Sequence, residues 1–345
     1  MEVAGFLLRR LGVMLATALC LSFLVFWLTH LAPNLEKLAK SQVSARMSDA
    51  ETASWLARNG YDRPLVIGYG EWLGVLPRSG CAEGARVCGV LQGNWGQSTV
   101  FRQPVAAVLG RSLSATGWLM LWVLVVMVPL ALVLGVLAGM REGSRMDRAI
   151  SAATIVSAAT PEYVSGVVLT GLLASATAGV SPLLADAGLI EGRTLFQGTA
   201  SGAMTGITLW NFGLPVATIA LYGAGYIARM TRASMAEVMA QPYIRTARLK
   251  GAGPIRIVLR HALRNALVAP FTIIMLQVPW LLNGVVIVET LFAYKGFGWT
   301  LVQAAGNNDI DLLLGCSVVA VTAVLATQVL SDVGHLLLNP RLRGG

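Results

Sequence analysis

Long uninterrupted apolar runs leave this chain few folds to choose from. Six of them fall at about 9–31, 113–139, 149–177, 212–232, 268–293 and 312–337. About 20 consecutive apolar residues carry a helix across a bilayer, so each run is long enough. A transmembrane barrel would show short alternating segments instead. The charge balance agrees: 12% of the 345 residues are charged, against about 25% in a soluble domain. The expected fold is an all-α membrane protein with six transmembrane helices. The third run, rich in Ala, Ser and Thr, suits close helix packing.

Lysine and arginine in the short loops set the expected orientation. Arg9 and Arg10 precede the first run, and Arg141, Arg145 and Arg148 lie between the second and third. Arg245, Arg248, Lys250, Arg256, Arg260 and Arg264 lie between the fourth and fifth, and Arg341 and Arg343 close the chain. All fall on one side if both termini are cytoplasmic. The opposite loops, 178–211 and 294–311, hold only Arg193 and Lys295. The run from Leu11 to Leu31 exceeds the signal-peptide core of about 7–15 residues and is expected as a retained helix. The net charge of +9 thus follows from topology. No recognition motif accompanies it, so membrane lipid is the expected contact and nucleic acid is not.

Three regions follow: 1–31 as N-terminus and first helix, 32–112 as a small extracytoplasmic cap, and 113–345 as the membrane core. In the cap, Ser48 and Glu51 make a capping-box pattern before a short helix, which Asn59-Gly60 would end. Pro64 opens a further segment carrying Tyr69 and Trp72. Cys81 and Cys88 share this loop, whose compartment would permit a disulfide. Cys20 and Cys316 lie inside apolar runs and are expected to pack there.

The cytoplasmic loop 233–267 is the most informative stretch. Glu237 to Lys250 is polar and helix-compatible, with a break at Pro242. Gly251, Gly253 and Pro254 then force a turn. Ile255, Val258, Leu259, Ala262, Leu263, Ala266 and Leu267 recur at helical spacing beyond it, with Arg256, Arg260 and Arg264 as a separate stripe suited to the membrane interface. A short exposed helix between two spans is a mechanical lever.

Catalytic signatures are missing from the sequence. A phosphate-binding Walker loop needs Gly-Lys-Ser/Thr. The four lysines are Lys37, Lys40, Lys250 and Lys295, and only Lys40 precedes a Ser, with Ala39 before it. His30, His261 and His335 are scattered, without metal-ligand spacing. No catalytic residue, metal site or cofactor is expected in this chain. Glu162, after Pro161 in the third run, and Glu289, near the end of the fifth, are ionisable residues inside spans and therefore candidates for a translocation path. Glu162 would favour a cationic group, or else fix helix packing.

The run IARMTRASMAEVMAQPYIRTARLKGAGPIRIVLRHALRNALVAP resembles the coupling region of the dipeptide/oligopeptide/nickel family of ABC importer permeases. So do LLRRLGVMLAT, NGYDRPLVIGYGEWL, GNWGQSTVFRQPV, REGSRMDR and VETLFAYKGFGWTLVQAAGNNDIDLLLG, which together cover most of the chain. Importer permeases in general favour Glu-Ala-Ala where this chain has Arg245-Thr246-Ala247, as the peptide subfamily commonly does. The family usually has Gly-Asp-Pro where this chain has Ala32-Pro33-Asn34-Leu35, and Pro where it has Lys295.

The resemblance implies a type I importer fold in a bacterial inner membrane. Tyr243, Arg245, Thr246, Ala247, Lys250 and Gly251 would dock an ATPase. Phe292, Gly296, Gly298, Asp309 and Asp311 would lie at a periplasmic gate that meets a substrate-binding protein. The implied partners are a second, homologous permease subunit, two ATPase subunits or domains that hold ATP and Mg, and the binding protein. Substrates of the family include peptides, nickel complexes, glycans and opines. An ion-gradient-driven secondary transporter is the alternative, though it would usually carry internal repeats, and none is clear between the halves.

Overall fold

A computed structural model describes residues 2–78, 81 and 86–338; for 2–8, 278, 279, 282, 283 and 330–338 it describes the backbone alone. Arg341 and Arg343 lie outside the described residues. The order is α1 (Glu2–Thr29), α2 (Ala32–Gln42), α3 (Asp49–Arg58), α4 (Leu65–Leu73), the two-residue strands β1 (Gln97–Ser98) and β2 (Gln103–Pro104), and α5 (Val105–Met140). Then come α6 (Arg145–Ala159), α7 (Glu162–Leu173), α8 (Val180–Asp186), α9 (Leu209–Met239), α10 (Pro242–Leu249) and α11 (Pro254–Arg256). A π-helical turn, Ile257–Ala262, leads to α12 (Leu263–Ala266), α13 (Val268–Leu291), α14 (Phe297–Gly306) and α15 (Ile310–Leu338).

Three segments, Arg9–Thr29, Val105–Met140 and Ile310–Val329, are long and apolar enough to cross a membrane. Two bent pairs, α6 with α7 and Pro254–Ala266 with Val268–Gln277, pass the same test together, so the count among the described residues is three to five where the sequence predicts six. The predicted fourth span lies within α9, a 31-residue helix outside that count. The predicted third span is not one straight helix. It bends by 110° between Ala159 and Glu162, because Pro161 has no N–H to donate and holds Thr160 extended (φ −88°, ψ 120°).

The chain divides into two units, 1–114 with 300–329, and 115–299 with 330–345. In the first, Phe26, Leu35, Leu38, Trp72, Ile310 and Leu314 form the buried core. Phe26 stacks on His30 at 3.8 Å and meets the rings of Tyr69 and Trp72 edge-on or tilted. The Ser48–Glu51 capping box is formed, and Gly60 takes the positive φ (+77°) that ends α3. Cys81 and Cys88 are disulfide-bonded, with Cα atoms 5.6 Å apart.

In the second unit, a core of Leu119, Val123, Met127, Phe212, Ile219, Ile227, Leu281 and Val288 joins α5, α9 and α13. Glycines let α5 and α9 close up. A Cβ on Gly135 would meet Thr231 Cβ at 2.4 Å and the Ala228 carbonyl at 2.6 Å. Small residues at such crossings are how membrane helices gain packing without a hydrophobic driving force.

Candidate functional site

The segment after α9 is built as the sequence suggests, with a difference in its second half. Pro242 occupies the first turn of α10, where its missing N–H costs nothing. Lys250 caps the helix, Gly251 turns left-handed (φ +79°), and the Ala252 amide returns to the Ala247 carbonyl at 3.1 Å. Beyond it, the predicted amphipathic α-helix is widened by the π turn at 257–262. Arg256, Arg260 and Arg264 therefore depart from a regular α-helical stripe.

Only Ile244 and Ala247 of α10 are buried. They pack with Met235, Ile257, Val258, Ala262 and Ala266. Ala247, one of the predicted ATPase-coupling residues, is thus an inward anchor of α10. Tyr243, Arg245, Thr246, Arg248, Leu249 and Lys250 are exposed, Leu249 at 81%. Asn265 donates to the Tyr243 hydroxyl at 2.8 Å and holds the ring against the following helix. The result is a cationic ridge with an exposed leucine, carried on two apolar contacts. Sequence reading missed Leu249, although its place opposite Ile244 and Ala247 was available from helical spacing.

An ion pair stands earlier on α9. Arg232 of α9 donates to both Asp147 oxygens, from Nε at 2.5 Å and Nη2 at 2.7 Å. Asp147 also accepts from the Gly143 amide at 2.9 Å and the Ser151 hydroxyl at 3.2 Å. The first turn of α6 is thereby fastened to the helix that leads into α10.

Glu162 opens α7 at the bend, half-buried, with no hydrogen bond or ion pair among the described residues. Pro161 supplies its N-cap residue in extended geometry (φ −56°, ψ 147°). Glu289 is different. It is fully buried; Thr116 donates its hydroxyl to Oε1 at 2.5 Å, and the Trp299 amide donates to Oε2 at 3.0 Å. Thr116 accepts in turn from the Phe297 amide at 2.7 Å. The carboxylate thus ties the end of α13 to the start of α14. Gly296 is small because a Cβ there would fall 2.1 Å from Glu289 Oε1, and one on Gly298 would fall 2.5 Å from Val286 Cα. Phe292 is buried, and its carbonyl accepts from the Ala200 amide at 2.7 Å.

Asp309 and Asp311 belong to the first unit. Asp309 accepts from Ser98 Oγ at 2.6 Å and the Val100 amide at 3.1 Å, and caps α15 through the Leu312 amide at 3.3 Å. Asp311 accepts from the Gln97 amide at 3.3 Å. The five residues predicted at a gate are therefore spread over both units: Phe292, Asp309 and Asp311 bind backbone amides, and Gly296 and Gly298 leave room for close neighbours.

Residues 131–344 match the family described as "Binding-protein-dependent transport system inner membrane component". The chain belongs to this family. The permease is 30% identical to the di/tripeptide transport system permease protein DppB of Pseudomonas aeruginosa over 98% of each chain. It is 29% identical to a probable peptide ABC transporter permease of Sinorhizobium fredii, covering 98% of this chain and 99% of that one. A putative peptide permease of Brucella suis is 27% identical over 97% and 98%. A solved bacterial ABC transporter involved in alginate import, at 15% identity and a TM-score of 0.46 over 64% of this chain and 78% of that one, is too distant to carry an argument. The protein is a multi-pass membrane permease subunit of a binding-protein-dependent ABC importer.

Proposed function

We propose that this permease carries peptides or a closely related small solute and is driven through the outer face of α10. Tyr243, Arg245, Thr246 and Lys250 contact an ATPase, Ala247 anchors the helix from within, and Gly251 turns the chain back toward the membrane. The supporting observation is the cationic ridge of α10, anchored from within by Ile244 and Ala247 and tied to the following helix by the Asn265–Tyr243 hydrogen bond. Packed in this way against Met235 of α9 and against the π turn, α10 passes force to α9 and, through that turn, to α13. The peptide class rests on the names of the relatives.

In this reading the permease pairs with a second, homologous permease subunit in the bacterial inner membrane, with both termini cytoplasmic. Residues 32–112 form a periplasmic domain on which a substrate-binding protein docks. Two ATPase subunits hold ATP and Mg. Their closure draws the coupling helices together and opens the cavity outward, and hydrolysis resets it. Each ligand shifts the equilibrium by its differential affinity for the two states. Glu162 and Pro161 lie on the path. Glu289, Phe292, Gly296, Gly298, Asp309 and Asp311 keep the periplasmic gate segment in register.

The test is reconstitution with the ATPase and binding protein in proteoliposomes. Replacing Tyr243, Arg245 and Lys250 together by Ala is expected to abolish ATP-driven uptake and co-purification of the ATPase while the permease stays folded. Full ATP-driven uptake by that variant, or uptake by wild type that follows an ion gradient without ATP, overturns the reading.

A further inference from the structure

Glu162 and Arg229, of opposite sign, stand in the second unit, each without an ionic partner among the described residues. Each is partly buried. Intramembrane charges are expensive and normally pair with one another or face a water-filled path. These two are joined by a continuous aromatic surface. A Cβ on Gly284 would lie 3.4 Å from Glu162 Oε1 and 3.5 Å from the Trp280 ring, so the carboxylate rests beside that ring across a glycine. Trp280 stacks on Tyr222, with centroids 4.7 Å apart and 16° between planes. Tyr222 meets Tyr226 at 5.6 Å, and the Arg229 guanidinium lies 5.0 Å above the Tyr226 ring.

We propose that this acid–aromatic–base face is a recognition strip for short zwitterionic peptides, with Glu162 receiving the amino terminus and Arg229 the carboxylate. The inference rests on the peptide reading above and adds residues and a length to it. Tyr222 and Arg229 are two helical turns apart, about 10 Å. An extended chain covers roughly 3.3–3.6 Å per residue, so this part of the strip alone accommodates about three residues, and the Trp280 ring carries it on to Glu162. Glu162 sits in the first turn of α7, where the helix dipole favours the anion. Arg229 is steered by its Nε bond to the Gly225 carbonyl at 3.3 Å and by the Tyr226 face, which leaves the rest of the guanidinium fork for a carboxylate. The rings between give a sequence-tolerant surface for side chains.

The experiment uses the assembled importer, trapped with ATP through an inactive ATPase, and measures direct binding of radiolabelled trialanine, N-acetyl-trialanine and trialanine amide without the binding protein. Wild type is expected to bind free trialanine about tenfold more tightly than either blocked form, as for a charge-assisted hydrogen bond. Glu162→Gln should lose only the preference for a free amino terminus. Arg229→Gln should lose only the preference for a free carboxylate, and Arg229→Lys should restore part of it. Unchanged preferences in the variants, or equal weakening for all three probes, overturn the strip. So does a wild-type complex that takes up trialanine yet shows no binding here. A complete importer that hydrolyses ATP but takes up no trialanine instead overturns the peptide reading, and the strip falls with it.

Discussion

Arg232 grips both oxygens of Asp147 across the interface of α9 and α6, at 2.5 and 2.7 Å. Asp147 is nearly inaccessible and Arg232 only partly exposed, so removing one partner strands a charge in a poorly hydrated place. Asp147→Asn and Arg232→Gln are each expected to cost about 2–3 kcal/mol. The double variant should cost less than the sum, as read by thermal unfolding in detergent. Additive losses would show that the two do not act on one another.

The two faces of α10 should separate stability from output. Ile244→Ala removes a fully buried side chain from the Met235–Ile257–Ala266 cluster and is expected to cost about 2–4 kcal/mol. Leu249→Ser, at an exposed position, should change stability by less than about 0.5 kcal/mol yet weaken ATPase co-purification. A Leu249→Ser variant as unstable as Ile244→Ala would refute this division.

Gly135 holds α5 against α9. Gly135→Val places branched carbon where Thr231 Cβ and the Ala228 carbonyl already stand, and backbone cannot yield as a side-chain tip can. We expect loss of folded protein in size-exclusion profiles, whereas Gly117→Ala, with nothing within 4 Å of the new carbon, should behave as wild type.

The Glu289 tie predicts a shared phenotype. Thr116→Val removes the side-chain acceptor of the Phe297 amide and Glu289→Ala that of the Trp299 amide, both partly buried at the start of α14, at about 1–3 kcal/mol apiece. Proteolysis and hydrogen exchange should localise the opening to 292–300 in both. Protection there equal to wild type would show that α14 holds its place without them.

Tyr61, in the loop after α3, has its phenol pushed up to about 12 by burial, with Asp311 adding to the shift. A raised folded value means stability is complete below the ordinary value of 10.0 and is lost as pH rises toward 12. Alkaline unfolding of the first unit should therefore begin above pH 10 and be shallower in Tyr61→Phe. The tyrosinate absorbance of the two proteins, compared through that window, reads it directly.

Much of this was legible from local signals. The Ser48–Glu51 box, the turn at Gly251 and the break at Pro242 each depend on a few neighbouring residues, and each stands where spacing placed it. What was not legible depends on residues far apart in the chain. Nothing near Asp309 indicates that Ser98 and Val100 are its partners, more than 200 residues away. Nothing near Glu289 announces Thr116. Burial of Ala247 required knowing what lies beneath α10. The bend at Pro161 was within reach, since proline restricts the residue before it, but its angle depends on packing.

The fold answers for two of the eight residues of α10, Ile244 and Ala247. The remaining positions, among them Arg245, Arg248 and Leu249, are exposed. Such a helix has separate inheritances on its two sides. Under the docking role proposed for α10, the inner pair can stay constant while the outer face drifts to suit a different motor, and such a permease would change its engine by a handful of surface substitutions without rebuilding its channel.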